Sequence, residues 1–293
     1  MYDLKALYEA SSVRDAISLL TAHPEARIIA GGSDVLIEMR EGKLAGCELV
    51  SIQTLDALRG VRLDSDGTLR ILPLTSFSHI TKDPLIQKHI PVLGEAVDKV
   101  GGPQIRNIGT IGGNVSNGVT SADSASTLMA YDAQMEITGP DGVRIVPMQE
   151  FYIKAGKTVL AHNELLTAIL ISQESYENCF GHYIKYCMRN AMDIATIGCS
   201  VNVRLSGDKR TIARARIAYG VAGPVPMRAA NAEQAANGQP VSRETVERFV
   251  AGALESVNPR TSWRATKEFR LHIIAETGKR AFETAIALAG GEV

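Results

Sequence analysis

The sequence predicts a mixed α+β fold of more than one domain, on three observations. Short apolar runs of strand length alternate with helically spaced apolar residues, a well-marked hairpin sits mid-chain, and a polar interruption near residue 175 separates two such sets. A chain of 293 residues also suits two or three domains at the usual ~100–200 residues each.

Val13, Ala16, Ile17, Leu19 and Leu20 recur at helical spacing within Ser12 to Ala22, and Ser11 or Ser12 can cap that helix. Past His23-Pro24, Arg27 to Ala30 reads as a short strand that enters a Gly31-Gly32 turn. Ser33 or Asp34 can then cap a helical turn holding Val35, Leu36, Ile37 and Met39. Leu49 to Ile52 and Leu69 to Leu72 read as strands, the second after the turn Asp64-Ser65-Asp66-Gly67, and Ile90 to Val100 reads as a helix. Ala133 to Thr138 and Val143 to Val146 flank Gly139-Pro140-Asp141-Gly142, the strongest hairpin signal in the chain. The polar run Ser172 to Asn178 marks the main domain boundary. Beyond it, Gly198 to Leu205 and Ala213 to Val221 read as strands, and Ser242 to Ser256 and Thr266 to Ala289 as closing helices.

Composition narrows the function. With 31 basic and 32 acidic residues the formal charge is −1, which gives no electrostatic surface for nucleic acid. No apolar stretch approaches the ~18–20 residues of a membrane span. The first residues, Met1-Tyr2-Asp3-Leu4-Lys5, lack the basic segment and apolar run of a secretion signal, so a cytoplasmic location is expected. Cys47, Cys179, Cys187 and Cys199 form no C-x-x-C pair, and the six histidines show no paired spacing, so no metal site is expected within the chain.

Two glycine pairs carry the chemical signal. They lie in Arg27-Ile28-Ile29-Ala30-Gly31-Gly32-Ser33-Asp34 and in Asn107-Ile108-Gly109-Thr110-Ile111-Gly112-Gly113-Asn114, each after an apolar run. Glycine reaches positive φ and lets backbone N–H groups close on a ligand, and a concave row of such donors suits a pyrophosphate. A pair taken alone is more often an ordinary tight turn, and two in similar settings narrow that gap. The second is followed by Asn114, Ser116, Asn117, Thr120, Ser121 and Asp123, short hydrogen-bonding side chains suited to hydroxyls or phosphate, or to a solvated loop. Neither G-x-G-x-x-G nor G-x-x-x-x-G-K-[ST] occurs, which disfavours Rossmann and P-loop sites.

Ile29-Ala30-Gly31-Gly32-Ser33-Asp34 and Thr110-Ile111-Gly112-Gly113-Asn114 resemble the paired FAD-pyrophosphate loops of the flavoprotein subunit of molybdenum hydroxylases. The resemblance extends through 102–107, 120–125, Lys185-Tyr186-Cys187-Met188-Arg189-Asn190-Ala191-Met192-Asp193-Ile194-Ala195 and 262–270, and is nearest to the FAD subunit of bacterial three-chain xanthine dehydrogenases. It implies a PCMH-type FAD domain over about 1–176, built of subdomains 1–55 and 56–176. A C-terminal α+β domain of the CO dehydrogenase flavoprotein type would cover 177–293.

By the same resemblance, Arg27, Ile28, Ile29, Ala30 to Asp34 and Gly109 to Asn114 would embrace the pyrophosphate and ribityl chain. Asp123 would bond cofactor hydroxyls, and Leu165 and Leu166 would pack on the isoalloxazine ring. Lys185 would lie at the flavin pyrimidine edge, where an ammonium stabilises charge arriving on reduction. Arg189 and Asp193 would flank the flavin, and Met192 stands where some relatives carry an acid. Without the resemblance, Leu165 and Leu166 are core strand residues, Lys185 is a surface lysine, and Arg189 with Asp193 is a surface pair.

On this reading a Cβ at Gly32 or Gly113 intrudes where backbone meets phosphate. Trp263, the single tryptophan, is expected at a domain or subunit contact or in the core of its own domain. The resemblance further implies a molybdopterin-binding large subunit and a small subunit carrying 2Fe-2S clusters as partners, in a heterotrimer that can dimerise, with NAD as acceptor. The competing readings are a carbon monoxide, nicotinate or aldehyde type hydroxylase subunit, and an assembly protein that has lost its flavin.

Overall fold

The computed structural model describes residues 2–293. The first unit is β1 (Leu4–Glu9), α1 (Val13–Ala22), β2 (Arg27–Ile29), α2 (Val35–Arg40) and β3 (Cys47–Ser51), with the strands parallel in the order β1-β3-β2. The Ser12 hydroxyl caps α1 by accepting from the Asp15 N–H, and Asp15 accepts in return from the Ser11 N–H and hydroxyl. Ala16, Ile17 and Leu20 of α1 then bury against Val50 and Ile52.

The second unit is built on a five-stranded antiparallel sheet in the order β4-β5-β10-β6-β7. Its elements are β4 (Val61–Leu63), β5 (Leu69–Ile71), α3 (Phe77–Lys82), α4 (Pro84–His89), α5 (Pro91–Asp98), α6 (Pro103–Ile108), α7 (Ile111–Ser116), α8 (Asp123–Ala130), β6 (Gln134–Gly139), β7 (Gly142–Pro147), α9 (Met148–Phe151), β8 (Tyr152–Lys154), β9 (Lys157–Thr158) and β10 (Leu165–Ile171). Prolines start α4, α5 and α6, where the missing N–H costs nothing and the fixed φ suits the first turn. All seven residues of β10 are buried because the strand is covered on both faces. Leu166, Ile169 and Ile171 join one core and Leu165 another, which explains the unbroken apolar run.

The third unit comprises α10 (Gln173–Tyr176), β11 (Phe180–Tyr186), β12 (Ile197–Leu205), β13 (Ile212–Gly220), β14 (Met227–Arg228), α11 (Ala230–Ala236), α12 (Arg243–Ser256) and α13 (Lys267–Leu288). Its four strands pair antiparallel in chain order. α12 and α13 bring Phe249 and Phe282, stacked 3.8 Å apart, onto Val201, Ile217 and Tyr219.

Helix α8 joins the second and third units. Its sequence, Asp-Ser-Ala-Ser-Thr-Leu-Met-Ala, is small enough for all eight residues to be buried between α5 on one side and β12 and β13 on the other. The core of the second unit takes in Tyr183 and Ala218 from the third, and Asp132 bridges Arg216 and Arg228 across the junction.

Trp263 is 78% exposed, with the Arg264 guanidinium 4.3 Å above its ring, which sets aside the core of its own domain among the expected placements. It belongs to no core within this chain. Trp263→Ala should therefore change the stability of the isolated chain by no more than about 0.5 kcal/mol. A denaturant melt checks this, and a loss of ~2 kcal/mol would contradict the exposed placement.

Candidate cofactor site

A cavity of about 720 Å³, within the ~300–1,000 Å³ typical of ligand sites, lies where the three units meet. The turn after β2 forms one wall and the turn between α6 and α7 another; the start of α8, the β8–β9 turn, β10 and the end of β11 complete it. It gathers Arg27, Ile28, Ala30 to Asp34, Gly109, Thr110, Gly112 to Asn114, Asp123, Leu165, Leu166, Lys185, Met192 and Asp193. Ile29 and Ile111 stand behind this surface, Ile111 fully buried in the core. Arg189 is also outside the lining, its side chain 67% exposed.

The two glycine turns are not equivalent. Among the described residues, no protein acceptor takes the N–H groups of Gly31, Gly32, Ser33, Asp34 or Val35, so the first turn offers a row of free donors to the cavity. In the second turn most donors are spent inside the protein, and of residues 109–114 the Thr110 N–H is the one left without an acceptor among the described residues. Gly109 N–H goes to Ile105 O at 2.7 Å, Ile111 to Thr75 O at 3.0 Å, Gly112 to Pro73 O at 2.8 Å, and Gly113 to its N-cap hydroxyl, Thr110 Oγ1, at 3.1 Å. The two turns thus offer unequal numbers of free backbone donors to the cavity.

Each glycine is there for its own reason. A Cβ on Gly31 would fall 2.0 Å from Ile108 O, and one on Gly112 2.4 Å from Pro73 Cβ, so both are required by chain packing. Gly32 has φ +76°, which a side chain adopts only with strain. Within the protein its absent Cβ would meet the Leu36 and Ile29 side chains, at 3.2 to 3.3 Å. Gly113 would meet only Thr110 Oγ1, at 3.0 Å, and it lines the cavity. Gly113→Ala should leave the melting behaviour within about 0.5 kcal/mol of the parent while weakening flavin affinity. Unchanged affinity by fluorescence titration would take the cofactor away from this position.

Asp34 does not cap α2 through its side chain, contrary to one sequence reading. Its carboxylate instead accepts from Asn117 Nδ2 at 2.7 Å and so ties the first turn to the end of α7. Burial pushes the Asp34 carboxyl above its ordinary value, with the Asn117 hydrogen bond opposing.

Lys185 is no surface lysine. Its side chain and that of Asp123 are each 6% exposed, and Nζ donates to Asp123 Oδ2 and to Lys99 O, both at 2.8 Å. Tyr183 donates to the other carboxylate oxygen at 2.7 Å. Burial pushes the Asp123 carboxyl upward, while Lys185 and Tyr183 pull it back. Tyr183 escaped the sequence reading, although a residue two places from Lys185 on a strand shares its face. Lys157, at the start of β9, also lines the cavity and had no motif to mark it.

The loop after β11 folds on itself. Asp193 accepts from the N–H groups of Arg189 and Ile194, both at 2.9 Å, and lies 3.6 Å from the Arg189 guanidinium. Desolvation acts to raise its carboxyl, but the Arg189 and Ile194 N–H groups prevail and hold it below its ordinary value. Met192, at φ +53°, and Ile194 are thereby turned to the cavity.

Two family descriptions match consecutive stretches of the chain. Residues 2–173 match the FAD binding domain in molybdopterin dehydrogenase, and 182–285 match the CO dehydrogenase flavoprotein C-terminal domain. The chain belongs to the FAD-binding medium subunits of molybdenum hydroxylases. It is 43% identical to the xanthine dehydrogenase FAD-binding subunit of Escherichia coli O157:H7 over 293 residues, all of both chains. It is 28% identical to the carbon monoxide dehydrogenase medium chain of Hydrogenophaga pseudoflava, over 94% of this chain and 95% of that one. A solved carbon monoxide dehydrogenase structure from that organism superposes with a TM-score of 0.92 at 29% identity, covering 98% of this chain and 99% of its counterpart.

The cavity fits the cofactor of this family. The free amides from Gly31 to Val35 suit a pyrophosphate, and Leu165 and Leu166 at the end of β10 offer an apolar wall to a planar ring. Among the described residues no helix is long and apolar enough to cross a membrane, and no three His, Cys, Asp or Glu side chains converge to hold a metal.

Proposed function

We propose that the chain is the FAD-carrying electron-transfer subunit of a molybdenum-containing xanthine dehydrogenase. It would act in the cytoplasm with a molybdopterin-binding large subunit and an iron–sulfur small subunit in a heterotrimer, with NAD as acceptor. The observation that supports this best is the row of unspent backbone donors from Gly31 to Val35, in the same cavity as the buried Lys185–Asp123 pair. FAD, when bound, exchanges electrons singly or in pairs, and so links one-electron iron–sulfur donors to a hydride acceptor.

Within this reading, the first turn holds the diphosphate and Leu165 and Leu166 flank the ring. Lys185 sets a positive charge beside the position where negative charge arrives. Asp193 shapes its loop so that Met192 and Ile194 present apolar side chains to the cavity. Arg189 acts on that loop, through its backbone and its bond to Met192 O, rather than on the ring. The division into an FAD domain over 1–176 and a C-terminal domain over 177–293 belongs to the same proposal.

Identity of 43% to a xanthine dehydrogenase subunit, against 28% to a carbon monoxide dehydrogenase chain, favours the purine reading. Purification of the native assembly, with its chains and cofactors identified, tests this. Turnover of hypoxanthine and xanthine with NAD⁺ is the expected result. A complex that oxidises carbon monoxide, nicotinate or an aldehyde and not these purines, or that holds no FAD, would overturn the proposal.

A further inference from the structure

We propose that Tyr183 is a positioning residue of the flavin site, whose hydroxyl keeps Asp123 ionised and turned to Lys185, so that the cavity-facing ammonium stands as half of a neutral pair. The proposal rests on the reading of the cavity as the FAD site.

Four elements build this arrangement. Tyr183 and Lys185 project from one face of β11 and take the two oxygens of Asp123, the first residue of α8, at 2.7 and 2.8 Å. The carbonyl of Lys99, just past α5, fixes a second Lys185 N–H at 2.8 Å. Gly198 of β12 pairs with Lys185 in register, and a Cβ there would lie 2.9 Å from Tyr183 Oη. Glycine at 198 thus makes room for the hydroxyl.

The ionisable groups facing the Asp123 carboxylate are Tyr183 and Lys185; the thiols of Cys199 on β12 and Cys187 lie on the Tyr183 side. Burial pushes the Tyr183 phenol well above its ordinary value, so it remains a donor at every pH of interest. Both charged side chains are out of water, so the carboxylate cancels much of the field that Lys185 exerts on the cavity.

The consequence concerns the flavin potential. A carboxylate that loses one of its donors takes up a proton at a higher pH. Once it is neutral, Lys185 is unbalanced, and a positive charge favours the reduced flavin. Tyr183→Phe should therefore match the parent at alkaline pH and rise above it as the pH falls. Gly198→Ala, by displacing the hydroxyl, should reproduce the effect and add nothing when Tyr183 is already Phe. Asp123→Asn should raise the potential at all pH values and make Tyr183→Phe silent.

Spectroelectrochemical titration of the full-length, FAD-loaded protein between about pH 5.5 and pH 9 reads these shifts. Superimposable curves for the parent and a fully flavinated Tyr183→Phe overturn the proposal, as does an undiminished Tyr183→Phe effect in the Asp123→Asn background. Should Tyr183→Phe not fold, an unchanged potential in Asp123→Asn overturns it equally. A parent chain that takes up no FAD overturns the site reading itself, and the proposal with it.

Discussion

Gly31→Val should abolish flavin retention and destabilise the protein by about 3 kcal/mol or more, at or beyond the upper end of typical overpacking costs. The first branching carbon would lie 2.0 Å from Ile108 O and 2.8 Å from its carbonyl carbon, both backbone atoms that no rotamer change can move. The turn after β2 and the turn after α6 would have to separate, and the free amides of Gly31 to Val35 would leave the opposite cavity wall. Flavin-to-protein absorbance ratios and a thermal melt measure the two effects. Full flavin content at an unchanged melting temperature would show that the two turns do not pack as described. Gly113→Ala separates the effects, because it should weaken binding while sparing the fold.

The second large effect is expected from Lys185→Met. Removing the ammonium leaves the Asp123 carboxylate, 6% exposed, with Tyr183 as its one side-chain donor, and broken buried pairs cost about 3–5 kcal/mol. The loss has a definite pH dependence. Burial already holds the Asp123 carboxyl above its ordinary value, and loss of Lys185 removes the largest opposing influence. A carboxyl raised in the folded state binds a proton more tightly there than in the unfolded chain. Stability is therefore gained as the pH falls through the folded value toward the unfolded value of about 3.9, and lost as it rises. The variant should accordingly lie closer to the parent near pH 5 than near pH 8 in urea melts. An equal deficit at both would mean that Asp123 is not the group left unpaired.

How much was legible in the sequence depended on the range of the interactions involved. The Ser12 cap, the β6–β7 hairpin around Gly139 to Gly142 and the closing helices α12 and α13 are set by neighbours a few residues apart, and the expected boundaries lie close to those found. The glycine pairs marked segments that both line the cavity, but the sequence did not show why each glycine is there. Gly31 is glycine because Ile108 O lies against it, Gly32 because it takes φ +76°, and Gly112 because Pro73 lies against it. Nothing near Gly112 in the chain announces Pro73. Trp263 was legible in part for the same cause, since an aromatic side chain says that a contact is worth making but not whether this chain makes it.

By itself the sequence determined the mixed α+β class, the local elements and, through segments spread over most of the chain, the flavoprotein family. These depend on periodicity, caps and turns, or on strings of residues that can be compared directly. Tertiary structure alone decided which donors remain free, that Arg189 faces solvent while Asp193 holds its own loop, and that Lys185 is spent on Asp123 beneath Tyr183. Those facts turn on atoms brought within 3 Å across about 60 residues of chain, as Asp123 and Lys185 are. Burial then fixes the strength of each charge, and burial is a property of the assembled fold.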